Sequence, residues 1–450
     1  VIGLLYCSSY FKYIPPDYSM LEKGIKMLQN ILQKSYLRSS SIYLFGSFVN
    51  GALPILSLPI LTRYLTPTDY GIVATSLVLI NILTLFIGFN TSGLIARGHF
   101  DNDFGSHQRL VSTNIILAGI ITVFLTLLLT VLRNSIEEVS KFPASWVPLM
   151  AIIAFFSVIN LLYLTLLQVR EDPKRFVFLQ IMLTSLNLGI SIILVVGIGL
   201  GWQGRILATI IAGIIITAVC FYGLIVRLGL FRIVIDMVSL KALLAFGIPL
   251  IPHFIGGLLM TMTPRLYLNN LASVADTGLY SVGYNVAAPI ALLTGAINQA
   301  YLPEILKRLN SASTDLVGLA RVLLMGAIAL PILGLAYGLV ASIFLPLIVG
   351  PKFLSATGYI LWLALVFAMQ GVCFIFISFV IYSKKTHLIT WRADFVGGIV
   401  MLVLCPFLIN LNGPIGAAQS GFLASAISCI GYIITSRKAY PMPWKKAALS

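Results

Sequence analysis

The segment GIPLIPHF, residues 247–254, places His253 next to Pro249 and Pro252 inside an apolar run. Histidine has an ordinary pKa of about 6.5, so it gains and loses a proton near neutrality. An ionisable side chain in hydrocarbon is costly unless it faces protein or water. Proline removes a backbone donor and clashes with the preceding turn, so it bends a helix. Together they predict a bend in a cavity-lining helix, or a kink that only packs against its neighbours. Other chemistry is sparsely supplied. Cys7, Cys220, Cys373, Cys405 and Cys429 show no CxxC spacing, so neither a metal site nor a disulfide framework is expected. No cofactor and no catalytic group is expected either. The fourteen acidic residues fall in loops or at the ends of apolar runs.

The elements that position these residues follow from composition. The 450-residue chain is 59% hydrophobic and only 10% charged, with a mean hydropathy of +1.00. A soluble protein carries about 25% charged residues. A bilayer core about 30 Å thick takes roughly 20 helical residues to cross, and apolar runs of that length recur along the chain. The fold class expected is an all-α polytopic membrane protein with about twelve transmembrane helices. The spans read as 40–62, 71–95, 110–132, 145–168, 176–199, 205–227, 240–263, 278–302, 318–348, 357–382, 387–410 and 413–436. The ninth is too long for one straight crossing, so a break at Pro331 or Pro346, or an end in the interface, is expected.

The formal net charge is +15, which invites a nucleic-acid partner, but its distribution argues against one. In the twelve-span reading, 23 of the 29 Lys and Arg residues fall at one side and six at the other. Positive charge marks the cytoplasmic side, so both termini are expected there. The first forty residues are basic and interrupted by Pro15 and Pro16, and a translation start at Met20 or Met27, or at a non-ATG codon, is expected.

An internal repeat divides the chain. DYGIVATSLVLINI from Asp69 matches DTGLYSVGYNVAAPI from Asp276 at an offset of 207. GRILATIIAGII from Gly204 matches GAAQSGFLASAI from Gly416 at an offset of 212. The organisation expected is a cytoplasmic segment 1–37, a six-helix lobe 38–230, a second lobe 238–438 and a cytoplasmic tail 439–450. Six is even, so the lobes share one orientation. The Asp of each D-x-G element reads as a helix cap and the Gly as a tight turn. The leading helix of each half carries a proline pair, Pro54 with Pro59 and Pro249 with Pro252, and these are the expected kinks.

YLFGSFVNGALPILSLPILTRYLTPTDYGIVATSLVLINIL (43–83), FGIPLIPHFIGGLLMTM and TGLYSVGYNVA resemble the leading spans of the two halves in bacterial O-antigen and related polysaccharide flippases. Those proteins belong to the multidrug/oligosaccharidyl-lipid/polysaccharide exporter superfamily. The resemblance covers about residues 27–436. Many relatives carry an acid just before the arginine near the outer end of the seventh span; here the run is Thr263-Pro264-Arg265. The resemblance implies a bacterial inner-membrane flippase. Its expected cargo is an undecaprenyl-pyrophosphate-linked oligosaccharide, turned from the cytoplasmic to the periplasmic leaflet. Lipid-linked oligosaccharide, membrane lipids and other polysaccharide-assembly membrane proteins are the implied partners.

Such cargo needs cationic and hydrogen-bonding groups between the lobes, which makes the candidates few. Arg265 either meets pyrophosphate or glycan, or snorkels or pairs structurally. Arg63 and Arg97 are candidates whose alternatives are interface anchoring and positive-inside placement. Asn50, Asn285 and Asn298 either contact sugar hydroxyls or bridge helices. His253 takes a cavity position or a buried hydrogen bond, and the coupling ion, proton or sodium, stays open. Competing readings are a peptidoglycan-precursor flippase, a multidrug antiporter and, from another class, a membrane polymerase or glycosyltransferase. The lack of intramembrane carboxylates counts against the antiporter, and short outer loops count against the enzyme.

Overall fold

The computed structural model of the protein describes Gly46, Gly51, Ile55 and residues 57–100, 103–310, 315–383 and 394–449. Among them there are helices and no strand. The first lobe holds helical residues 57–64, α1 (Pro67–Gly88), α2 (Ser92–Gly98), α3 (Phe104–Ser140), α4 (Leu149–Val169), α5 (Pro173–Ile192) and α6 (Gly201–Tyr222). A loop leads to α7 (Met237–Gly247), a 3-10 turn (Ile248–Leu250) and α8 (Ile251–Leu271). The second lobe continues with α9 (Val274–Asn310), α10 (Leu316–Ile348), α11 (Thr357–Tyr382), α12 (Asp394–Asn412), α13 (Gly416–Ala439) and the short α14 (Trp444–Leu449). Nine described segments are long and apolar enough to cross a membrane, and the last, Phe395–Ala439, contains both α12 and α13. α7 (Met237–Gly247) is a further, shorter apolar helix among the described residues.

The acids build the helix ends. Thr66 accepts from the Asp69 N–H at 3.1 Å while Asp69 accepts from the Thr66 N–H at 2.9 Å, a capping box at the start of α1. In the second half, Ser273 accepts from the Asp276 N–H at 3.1 Å and donates to the Asp276 carboxylate at 2.6 Å. Asp103, Asp172, Asp236 and Asp315 cap α3, α5, α7 and α10 in turn. These six carboxylates therefore sit where the orphan N–H groups of helix termini need them.

Each lobe has its own apolar core. Ile80, Leu83, Phe142, Met150 and Ala154 meet in the first; Leu268, Tyr280, Leu363, Phe367 and Met401 meet in the second. By contrast α3 turns Val123, Leu127 and Val131 outward, the last 81% exposed. Such a surface suits lipid and not water.

Two expectations need correction. Neither Pro331 nor Pro346 breaks the ninth span: α10 is a single helix of 33 residues, about 50 Å at 1.5 Å per residue. Transmembrane helices tolerate proline when neighbouring helices take up the freed groups. Gly334 and Gly338 let α11 approach at Ala368 and Leu361. The third span is also longer than its apolar run. α3 spans 37 residues, from the Asp103 cap to Lys141, whose left-handed backbone (φ 58°) ends it. Its polar ends stand outside the hydrocarbon.

The seventh span is divided into two helices. The 3-10 turn at Ile248–Leu250 separates α7 from α8. A Cβ at Gly247 would press on the Phe89 carbonyl, so α7 is seated against the first lobe. Pro59 lies within helical residues 57–64. Pro54 and Asn50, and the side chains of Pro252 and His253, fall outside the described residues.

Candidate functional site

The two D-x-G elements meet each other. A Cβ at Gly71 would overlap the Val274 carbonyl, and a Cβ at Gly278 would overlap the Pro67 carbonyl. Repeat-equivalent glycines thus let α1 and α9 cross backbone to backbone. They were expected as turn residues; both lie instead in helices, and close approach is what requires them.

Polar bonds extend this seam. Asn269 Nδ2 donates to Thr75 Oγ1 at 2.8 Å and to the Ser140 carbonyl at 2.7 Å. Asn270 Nδ2 donates to the Val139 carbonyl at 2.7 Å. The Gly350 N–H donates to Thr62 Oγ1 at 2.9 Å, and Asn285 Nδ2 to the Tyr70 hydroxyl at 3.3 Å. All of these join the lobes at one end of the bundle, the end of Asp69, Lys141, Asp276 and Lys352. That end is closed.

Arg265 lies just inside the closed end, on α8. It is 8% exposed. Its Nη1 donates to the Thr261 carbonyl at 2.6 Å and its Nε to Ser281 Oγ at 3.3 Å. The guanidinium stands 4.8 Å from the Tyr284 ring centroid and 5.6 Å from that of Tyr280, within cation–π range. No described carboxylate pairs with it, and no described residue accepts from its Nη2. A second arginine, Arg205, stands at the start of the sixth span, in the first turns of α6, where it donates to Asn187 Oδ1 and, at 2.5 Å, to Ser191 Oγ.

Toward the opposite end a cavity of about 410 Å³ opens between the first lobe and α8. Leu85, Val158, Leu161 and Leu162 make most of its wall apolar, with the amides of Asn81, Asn90 and Asn114 set among them and Phe254 and Gly257 of α8 facing them. Asn114 is 5% exposed and accepts from Thr91 Oγ1 at 2.9 Å. α1 ends at the brink of this cavity because Phe89 and Asn90 adopt left-handed backbone conformations, φ 44° and 51°. Neutral amides and hydroxyls of this kind suit sugar hydroxyls.

The other candidates are dispersed. Arg63 and Arg97 are exposed and stand apart from Arg265. Asn285 bridges the lobes through Tyr70, and Asn298 lines a different cavity, in the second lobe. Asn81, Asn90, Asn114 and Arg205 were missed by sequence reasoning. An inventory of every amide in an apolar run would have found Asn81 and Asn114, since each interrupts one.

Comparison with known proteins agrees with this architecture. Residues 60–358 match the family described as polysaccharide biosynthesis protein. An uncharacterized membrane protein of Haemophilus influenzae is 23% identical over 364 residues, 79% of this chain and 86% of the relative. Among solved structures, the lipid II flippase MurJ in an inward closed conformation superposes with a TM-score of 0.70 at 12% identity, over 90% of this chain and 89% of that one. An inward-facing multidrug resistance MATE family transporter of the MOP superfamily gives 0.59 at 17% identity, over 86% and 95%. The chain therefore belongs to the polysaccharide biosynthesis protein family, and it shares its fold with these two solved transporters.

Proposed function

We propose that the protein flips undecaprenyl-pyrophosphate-linked oligosaccharide, an O-antigen or related surface-polysaccharide unit, across the bacterial inner membrane by alternating access. The observation that carries this reading is Arg265, a buried cation with no described carboxylate partner, on the same helix that walls the amide-bearing cavity. From Gly257 to Arg265 is eight residues, about 12 Å of helix. A pyrophosphate at the arginine therefore leaves its sugars within reach of the asparagines. A proton-driven multidrug antiporter would want buried carboxylates, and no Asp or Glu is among the buried polar residues described.

Charge asymmetry orients the molecule. The closed end faces the periplasm, both termini face the cytoplasm, and the cavity is reached from the cytoplasmic half. Single cysteines placed at Glu138 and Lys352 will react with an impermeant maleimide from outside, and those at Lys174 and Lys438 only after permeabilisation. The native Cys220, Cys373, Cys405 and Cys429 are buried, and the background uses the chain with Cys7 replaced by serine. Outside labelling at Lys174 would overturn the orientation.

Deletion of the gene is expected to leave lipid-linked oligosaccharide on the cytoplasmic leaflet and to remove surface polysaccharide, with plasmid expression restoring it. Normal surface polysaccharide in a strain without a second flippase would refute the function. His253 enters through the coupling ion. His253→Gln cannot titrate, so a proton route through it predicts transport that no longer responds to an imposed pH gradient.

A further inference from the structure

At the end of the first lobe opposite the closed one, where α4 and α6 finish and α5 begins, a pocket of about 270 Å³ carries two arginines and a buried phenol. Tyr163 comes from α4, Arg175 from the first turn of α5, and Arg227 from a π-turn (Gly223–Arg227) that follows α6. The Leu228 N–H closes that turn on the Gly223 carbonyl at 3.0 Å, five residues back, a rare geometry found mostly at functional sites. A Cβ at Gly223 would overlap the Tyr163 hydroxyl, so the glycine is what admits the phenol. Tyr163 is 3% exposed and lines the pocket, and no described residue hydrogen-bonds its hydroxyl. A buried hydroxyl left unpaired is costly. Arg175 meets the Asp172 carboxylate at 3.0 Å, and Asp172 also accepts the Arg175 N–H as the cap of α5. No described carboxylate pairs with Arg227, whose guanidinium stands 5.9 Å from the Tyr222 ring centroid. One acid therefore stands against two guanidinium groups.

We propose that this pocket binds the phosphodiester of an anionic bilayer phospholipid of the phosphatidylglycerol class, with Arg227 and Arg175 on the phosphate oxygens and the Tyr163 hydroxyl donating to the same group. A guanidinium fork matches phosphate oxygens in pairs, and a phosphate oxygen supplies the acceptor that the buried phenol lacks. Basic pockets between membrane helices are sites for lipid head groups. The position of the pocket selects a bilayer lipid over the cargo. Its walls come from α4, α5, α6 and the π-turn, all of the first lobe, so it lies off the path between the lobes and apart from Arg265. Phe178 and Tyr222 on its rim are 64% and 55% exposed, as suits aromatic rings at head-group depth. Phosphatidylcholine has the same phosphodiester beside its own cation, which the two arginines repel. The site is independent of what the protein transports.

The test uses the full-length protein, delipidated in neutral detergent micelles, and native mass spectrometry with phosphatidylglycerol as the added probe. One phosphatidylglycerol should bind the wild type about tenfold more tightly than phosphatidylcholine does. Arg227→Ala should lower that affinity about tenfold, and Arg227→Gln replaces it if the alanine variant lowers folded yield. Tyr163→Phe removes only the hydroxyl and should weaken binding about threefold. Its melting temperature without lipid should match the wild type, because no described protein group loses a partner. Lys174→Ala deletes an exposed cation that does not line the pocket, and it should bind as the wild type does. Equal affinity for the two lipids would overturn the proposal. So would wild-type binding by both the Arg227 and Tyr163 variants, or an equal loss in Lys174→Ala, which would mean diffuse surface charge. Two competitors separate the sources of phosphate. If inorganic phosphate displaces the lipid at equal concentration, the pocket takes the free anion; if polyprenyl pyrophosphate does so, it takes cargo. Either result overturns the phospholipid assignment, and binding that resists both supports it.

Discussion

Gly71→Leu and Gly278→Leu each reduce transport more than tenfold while the protein still reaches the membrane. Even a Cβ at either position would overlap a carbonyl oxygen of the opposite lobe. Backbone on both sides cannot yield as a flexible side chain would, and overpacking of this kind costs about 1–3 kcal/mol before the rest of the leucine is counted. The cost falls on one conformation only, the one in which the lobes meet at this end. A penalty of ~3 kcal/mol lowers the population of that state about a hundredfold relative to its open counterpart, at 1.4 kcal/mol per tenfold. Under alternating access a carrier that seldom closes at one end seldom opens productively at the other.

The two substitutions have a signature beyond lost activity. A cysteine at Thr68, beside the seam, will react faster with an impermeant maleimide in either leucine variant than in the wild type. Gly71→Ala will fall between the two. The seam is unimportant if both leucine variants transport normally and leave the Thr68 cysteine rate unchanged.

Much of this architecture was legible because hydrophobic runs and capping acids obey local rules. Thr66 and Asp69 announce a helix start by spacing alone, and the Asp69/Asp276 repeat locates both lobes. The glycines beside them were misjudged, because sequence separates Gly71 from Val274 by some two hundred residues and only tertiary contact shows why a Cβ is forbidden. The limits of α3 were misjudged for a different reason. Hydropathy reports the extent of the apolar run, whereas the helix ends are set by Asp103 and Lys141, well beyond it. Arg205 opens the sixth span in the sequence, but its partners Asn187 and Ser191 lie on the neighbouring α5, and only tertiary contact brings them together. The sequence pattern also gave no hint of the first-lobe cavity, since the residues that line it come from three or more helices.

Arg265→Ala reduces transport per folded molecule by about tenfold to a hundredfold, and Arg265→Lys recovers part of it. A hydrogen bond to a charged group is worth about 1.5–3 kcal/mol, and that difference sets the range. The geometry separates what lysine can replace from what it cannot. A lysine supplies a point charge for phosphate, but it has no planar fork to lie over Tyr284 while bonding the Thr261 carbonyl and Ser281 together. Two of the guanidinium nitrogens are already committed to those groups; the third has no described acceptor and is the one free to meet the cargo. Removal of the side chain also leaves a gap between α8 and α9, so the melting temperature of the alanine variant should fall as well. The roles are told apart by the cargo. A lipid-linked oligosaccharide with one phosphate in place of two should lose transport in the wild type and show a smaller ratio between wild type and alanine variant. If Arg265 only braces the helices, both cargoes will suffer equally from its removal, and the loss will follow the melting temperature.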